Sequence, residues 1–229
     1  MESKTLKPNA QKFLEEVTKK ISPNFTIKPK SEKSGLYAFV SPFIKLFNKE
    51  VDTRYITVLF GTMWVPDDFH ETDDNSMLQI LAHETRHEYD RKKYGSVLFS
   101  LVYLFPQILV VLSLLSILAI WFGPAWLLWL LSLLFLAPLP APGRAYLERN
   151  GYRINYIVER WGNGSNDEDM QAVVEWYAKH FTGPSYYFMF PVRNVVIKQL
   201  SDEESIKKDE YNKQVIEFLK NNNLLKVNP

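Results

Sequence analysis

Between Val97 and Pro142 apolar residues run almost without interruption, whereas elsewhere they recur at helical or strand spacing. The first half of this block, Val97 to Phe122, is about 26 residues with Gln107 and a few Ser as its polar positions, longer than the ~20 a bilayer-crossing helix needs. Pro106 predicts a kink, which membrane helices tolerate. Gly123-Pro124 predicts a turn. A second, shorter apolar run goes from Ala125 to Ala137 and on to Ala141, with Trp126 and Trp129 near its start and Pro138, Pro140 and Pro142 breaking its end. The pattern predicts a helical hairpin in the membrane whose second leg is short, tilted or re-entrant. The competing reading is a hairpin buried inside a soluble protein or a large assembly.

On either side the spacing changes. Phe13, Leu14, Val17 and Ile21 predict an amphipathic helix from about Asn9, ended by Ser22-Pro23-Asn24. Tyr37 to Val40 and Phe43-Ile44 read as strand pieces broken by Ser41-Pro42; Arg54 to Phe60 and Thr62 to Pro66 read as two further strands. An acidic loop with Asp67, Asp68, Glu71 and His70 leads to Asp73, Asp74 and Asn75, which offer cap side chains to a helix starting near Ser76. Behind the apolar block, Arg144 to Glu159 and Asp167 to His180 read as helices, Phe181 to Pro191 as an aromatic turn. Ser201-Asp202-Glu203-Glu204 opens a charged helix to Lys220, stopped by Asn221-Asn222-Asn223.

These elements predict an α+β fold: a mainly helical domain with a small antiparallel sheet and an inserted hydrophobic helical hairpin. The boundaries fall at 1–96 (helix, sheet and the first motif helix), 97–142 (hairpin) and 143–229 (helices completing the domain).

Charge adds an orientation. Arg91, Lys92 and Lys93 precede the hairpin, Arg144, Arg149 and Arg153 follow it, and the turn has none, so both ends belong in the cytoplasm of a multi-pass integral membrane protein. The sequons at Asn24 and Asn163 then lie on the wrong side for glycosylation. The polar stretch Met1 to Pro8 does not read as a secretory signal. A net charge of +1 gives no footprint for nucleic acid. With no Cys in the chain, disulfides, thiolate metal sites and a Cys nucleophile are excluded.

The chemistry concentrates in Leu81-Ala82-His83-Glu84-Thr85-Arg86-His87-Glu88. On a helix, residues four apart share a face, so His83 and His87 aim at one spot, the spacing of a zinc-binding His-Glu-x-x-His with Glu84 as general base. A catalytic zinc takes three protein ligands and keeps one position open. After His87 the candidates for the third ligand are Glu148, Glu159, Glu175 and His180. About 60 residues separate His87 from Glu148; without the apolar block roughly 15 remain, which suits two helices joined by a short connection.

In this order of parts the chain resembles the HtpX-type integral-membrane zinc metalloproteases, which belong to the gluzincins. The resemblance covers about residues 54 to 160 and rests on His83, Glu84, His87 and, in Arg144-Ala145-Tyr146-Leu147-Glu148, on Glu148. It departs from that family in two ways. No hydrophobic span precedes the His helix, and Tyr152 stands where an Asp is expected four residues after the Glu ligand, so the contact orienting a ligand His falls to Asn150, Asp90 or elsewhere.

The resemblance implies a zinc endopeptidase acting on a protein or peptide at the cytoplasmic face of the lipid bilayer. His83, His87 and Glu148 hold Zn²⁺, and Glu84 moves a proton from the attacking water to the leaving amine. Tyr152, His180 and Arg193 are candidates for the second electrophile on the oxyanion. A reading from another class makes the chain a structural or membrane-inserting component of an assembly, such as a phage-delivered protein. The zinc would then be structural, with four protein ligands and no water.

Overall fold

The computed structural model describes residues 6–35, 37–39, 41–42, 55–59, 61–183 and 188–229. The expected strand residues Val40, Phe43, Ile44, Arg54 and Phe60, and Pro184, Tyr186 and Tyr187 of the aromatic turn, lie outside them. The described chain is mostly helical with one small sheet, an α+β arrangement. It divides into two compact units, the first made of Met1–Tyr89, Ile157–Gly164 and Lys207–Pro229, the second of Asp90–Tyr156 and Ser165–Ile206.

In the first unit the sheet has three strands, β1 (Thr26–Pro29), β2 (Thr57–Leu59) and β3 (Thr62–Val65), in the order β1-β3-β2. β2 and β3 form a tight antiparallel pair with Leu59 opposite Thr62, and Gly61 takes the left-handed φ of 82° that the turn requires. β1 runs parallel to β3, with Thr26 opposite Thr62. The sheet is therefore mixed, not antiparallel as expected, because β1 joins it through a long crossover rather than a hairpin. Tyr37–Phe39, expected in a strand, is helical. Tyr37 is buried and stacks on Trp64 with ring centroids 4.9 Å apart, a tertiary contact that outweighs local strand preference.

The N-terminal helix starts at Pro8–Phe13, passes through a π-helical turn at Leu14–Thr18 and ends at Lys19–Ile21. It buries Ala10, Phe13, Leu14 and Val17, the face its periodicity outlines. No side chain of its own caps it; instead the Asp74 carboxylate accepts the backbone N–H of Asn9 at 3.0 Å and of Ala10 at 3.2 Å. Asp74 opens the helix Asp74–Tyr94, here called the His helix. Asp73 caps that helix, accepting the Ser76 N–H at 3.0 Å.

The charged C-terminal region is two helices, Glu203–Lys208 and Glu210–Asn221, where one was expected. Asp209 breaks it by capping the second helix, accepting from the N–H groups of Tyr211 and Asn212 at 3.0 and 3.1 Å. Asp and Asn compete with the helical backbone in this way. Asn223 ends the region with a φ of 55°.

In the second unit, helix Ser96–Leu104 is followed by a 3₁₀ stretch, Gln107–Leu118, that runs into helix Ala119–Phe122. The chain turns at Gly123, φ 95°, and returns as a second 3₁₀ stretch, Pro124–Leu136, packed along the first. The first leg is not the single kinked helix expected over Val97 to Phe122. It bends by 92° between Leu104 and Gln107, so among the described residues no single helix is long and apolar enough to cross a membrane. Pro106 supplies no N–H and drives Phe105 to an extended backbone, φ −72° and ψ 137°. The legs leave large apolar side chains exposed, Ile120 at 76%, Trp121 at 68% and Leu134 at 69%. The unit is completed by Pro142–Ile157, here called the Glu helix, by Asp167–Thr182, and by Arg193–Leu200, which the sequence pattern did not suggest.

Candidate metal centre

The His helix forms because its first turn is capped by Asp73 and its apolar positions Met77, Leu78, Leu81 and Ala82 are buried. His83 lies on a different face of the helix, at 8% exposure, and His87, half-buried, comes one turn later on the face of His83. Their rings lie with centroids 5.0 Å apart and planes at 70°.

The two residues between Glu84 and His87 hold the helix in place. Thr85 is fully buried; its hydroxyl bonds the Leu81 carbonyl at 2.7 Å and pairs with the Thr18 hydroxyl at 2.9 Å. Arg86, also buried, forms a hydrogen-bonded ion pair with Asp209 and lies over the rings of Tyr89 and Tyr211 at 5.5 and 5.6 Å. Tyr211 donates its hydroxyl to the Ala82 carbonyl at 2.8 Å. Partial burial pushes the Asp209 carboxyl up, but the Arg86 hydrogen bond and charge, with the N–H groups of Asn212 and Tyr211, outweigh it and hold it below the ordinary value. The His helix is thus fixed by Thr85, opposite its imidazoles, and by Arg86 on the flank, and Glu84 is half-buried.

Glu148 is 2% exposed. Together with His83 and His87 it forms a group in which each residue offers one ligand atom and all three atoms lie within 4.8 Å of one another. Two imidazoles and a carboxylate are a donor set for a borderline metal such as zinc. The group could bind a metal ion.

The other candidates for the third ligand have different partners. Glu159 accepts from Asn163 at 3.0 Å and from Gln79 at 3.3 Å. Glu175 pairs with Arg193 at 3.1 Å on the surface. His180 bonds the Trp176 carbonyl at 3.0 Å and lies edge-on to that ring. Tyr152, offered as an electrophile, is buried among the rings of Tyr177, His180 and Phe181. Asn150 and Asp90, offered as orienting groups, bond each other, Asn150 Nδ2 donating to Asp90 Oδ2 at 3.1 Å.

One residue at the site was not anticipated. Tyr103 donates its hydroxyl to Glu148 Oε1 at 2.5 Å. Its signal in the sequence is a single Tyr in the helix SVLFSLVYL, whose other residues are aliphatic apart from one Phe and two Ser.

Fold and site together define an α+β protein with a three-residue group suited to a metal ion. Comparison with protein-family models, curated proteins and solved structures gives no match.

Proposed function

We propose that this chain is a zinc-dependent endopeptidase, built on a plan like that of the HtpX-type enzymes and held at a membrane by residues 97–142. The observation that carries the reading is the group His83, His87 and Glu148 with its ligand atoms within 4.8 Å, next to Glu84. Zinc in such a set supplies Lewis acidity toward a peptide carbonyl and lowers the pKa of water. The chain's own part is to bind and to move protons. Glu84 takes the proton of the attacking water and returns it to the leaving amine, while Arg86 and Thr85, bonded to Asp209 and Thr18, keep His83 and His87 in register.

The membrane part of the reading is supported by the exposed apolar side chains of 97–136, since a soluble monomer rarely exposes a large contiguous apolar patch. The flanking Arg and Lys orient both ends toward the cytoplasm. Reporter fusions after Asp67 and after Asn221 should both report the cytoplasm; opposite sides would sink the hairpin.

The chemistry is tested on the full chain purified without chelators. It should carry about one zinc, and His87→Ala should lose it. Glu84→Gln should keep the metal while cleavage of peptide substrates falls about 100-fold or more. Protein without metal, or Glu84→Gln cleaving at the parental rate, overturns the reading. A fourth protein ligand with no cleavage identifies a structural zinc instead.

A further inference from the structure

The helix Ser96–Leu104 begins the apolar block, and its neighbours Val97, Leu98 and Leu101 are exposed. Tyr103 in that helix reaches the buried Glu148 instead. A carboxylate taken out of water needs hydrogen bonds to stay charged, and a phenol removed from water needs an acceptor, so each answers the other. At 2.5 Å the bond has the length expected of a hydroxyl donating to a charged oxygen.

The phenol is itself held in position by the Glu helix. The Arg144 guanidinium lies over the Tyr103 ring at 5.3 Å, and its Nε donates to the Tyr103 carbonyl at 3.0 Å. Arg144 and Glu148 are four apart and share a helix face, so one helix grips the ring with one residue and receives the hydroxyl with the other. Arg144 also donates to Gln107 Oε1 at 3.2 Å, which ties the grip to the start of the 3₁₀ leg. The approach is close because of Gly143: a Cβ there would stand 2.5 Å from the Val102 carbonyl oxygen and 2.7 Å from its Cγ1. These contacts hold the Tyr103 ring and its helix against the Glu helix, and the Tyr103 hydroxyl is the group that reaches the Glu148 carboxylate.

We propose that Tyr103 is a positioning residue of the metal site, fixing Glu148 by one oxygen so that the carboxylate presents the other to the metal; the apolar segment is then part of the site and not only an anchor. The proposal rests on the zinc reading of His83, His87 and Glu148. Groups hydrogen-bonded to metal ligands set ligand orientation and typically account for 10- to 100-fold in metal affinity. Tyr103 acts through Glu148 and touches no substrate.

The test uses the full chain in detergent. Zinc affinity is measured by competition with a chromophoric chelator, and the visible absorption of the Co²⁺-loaded protein reports the ligand geometry. Tyr103→Phe keeps the ring under Arg144 and removes only the hydroxyl. It should weaken zinc by about 10- to 100-fold and change the Co²⁺ spectrum, with the metal-free protein melting within a few degrees of the parent. Tyr146→Phe removes a hydroxyl from the same Glu helix that faces Tyr94 and should leave both readouts as in the parent. Gly143→Ala alters no polar group but forces the backbones apart, and it should weaken zinc in the same direction. A parent that binds no zinc overturns the enzyme reading and this inference together. A parent that binds one zinc while Tyr103→Phe binds as tightly, with the same Co²⁺ spectrum, overturns this inference alone.

Discussion

The His helix and the apolar segment that follows it reverse the usual rule of inside and outside in opposite senses. Thr85, Arg86, Glu88 and Asp90 on the first are at most 2% exposed, whereas Ile120, Trp121 and Phe122 on the second are about three-quarters to two-thirds exposed. The first reversal is resolved within the protein. Arg86 has Asp209, Thr85 has Thr18, Asp90 has Asn150, and Ser22 donates to Glu88 at 3.4 Å. The second is only partly resolved among the described residues: the two legs pack on each other and still leave these side chains exposed. Buried polar groups with partners are the ordinary state of a protein interior, whereas a large exposed apolar surface is uncommon on a soluble monomer, and the membrane reading proposed above answers to that difference.

The largest effect should come from breaking the first resolution. Asp209→Ala leaves the Arg86 guanidinium, 3% exposed in its side chain, without its carboxylate and removes a helix cap. Breaking one partner from a buried ion pair costs about 3–5 kcal/mol. Chemical denaturation of the full chain in detergent checks this, and a loss below about 1 kcal/mol, the range of surface pairs, would contradict the assignment. Zinc binding should weaken too, because Arg86 lies in the turn between His83 and His87.

The second reversal is sharpened by adding a charge to the exposed apolar surface. Leu128 is 68% exposed. On an aqueous surface Leu128→Asp would change stability by no more than about 0.5 kcal/mol. In a bilayer it should cost about 2.5–3.5 kcal/mol of insertion free energy. The partition of the variant between liposomes and buffer distinguishes the two, and unchanged partition removes the membrane reading of this leg.

Thr85→Val probes the first helix more gently. It keeps the shape but leaves the Thr18 hydroxyl, fully buried, without Thr85 as partner, a loss of about 1–2 kcal/mol in denaturation.

The same two regions show what the sequence could and could not reveal. The imidazole pair was legible because its geometry is local: four residues on one helix. Glu148 could be named only as one candidate among four, on the argument that with the apolar block set aside roughly 15 residues separate it from His87. Tyr103 was hidden because its partner is 45 residues away in sequence and its helix reads as uniformly apolar. β1 was hidden because Thr-Ile-Lys-Pro is short and ends in Pro, and its pairing with β3 depends on a crossover. Tyr37 was read as a strand residue because aromatic preference is a statement about packing, and its packing partner, Trp64, is remote in sequence. The 92° bend could be anticipated at Pro106 as a kink but not in size, since the angle is set by what the legs pack against.

The smallest effect concerns how the two helices begin. Ser96–Leu104 starts at Gly95 with no side-chain cap, while the His helix starts at the exposed Asp73. The Ser76 side chain, then its backbone N–H, hold the Asp73 carboxyl below its ordinary value of 3.8. A carboxyl lowered in the folded state adds stability that is complete above the unfolded value and is lost as pH falls through the folded one. The Asp73 contribution is therefore intact at neutral pH and begins to be lost as pH falls below about 3.8, where the unfolded carboxyl protonates first. Asn caps as well as Asp but does not titrate. Asp73→Asn should thus match the parent in thermal stability at pH 7 and lose less of it between pH 4 and pH 2. Parallel acid curves for the two proteins would mean that Asp73 is not the group that titrates at the start of the His helix.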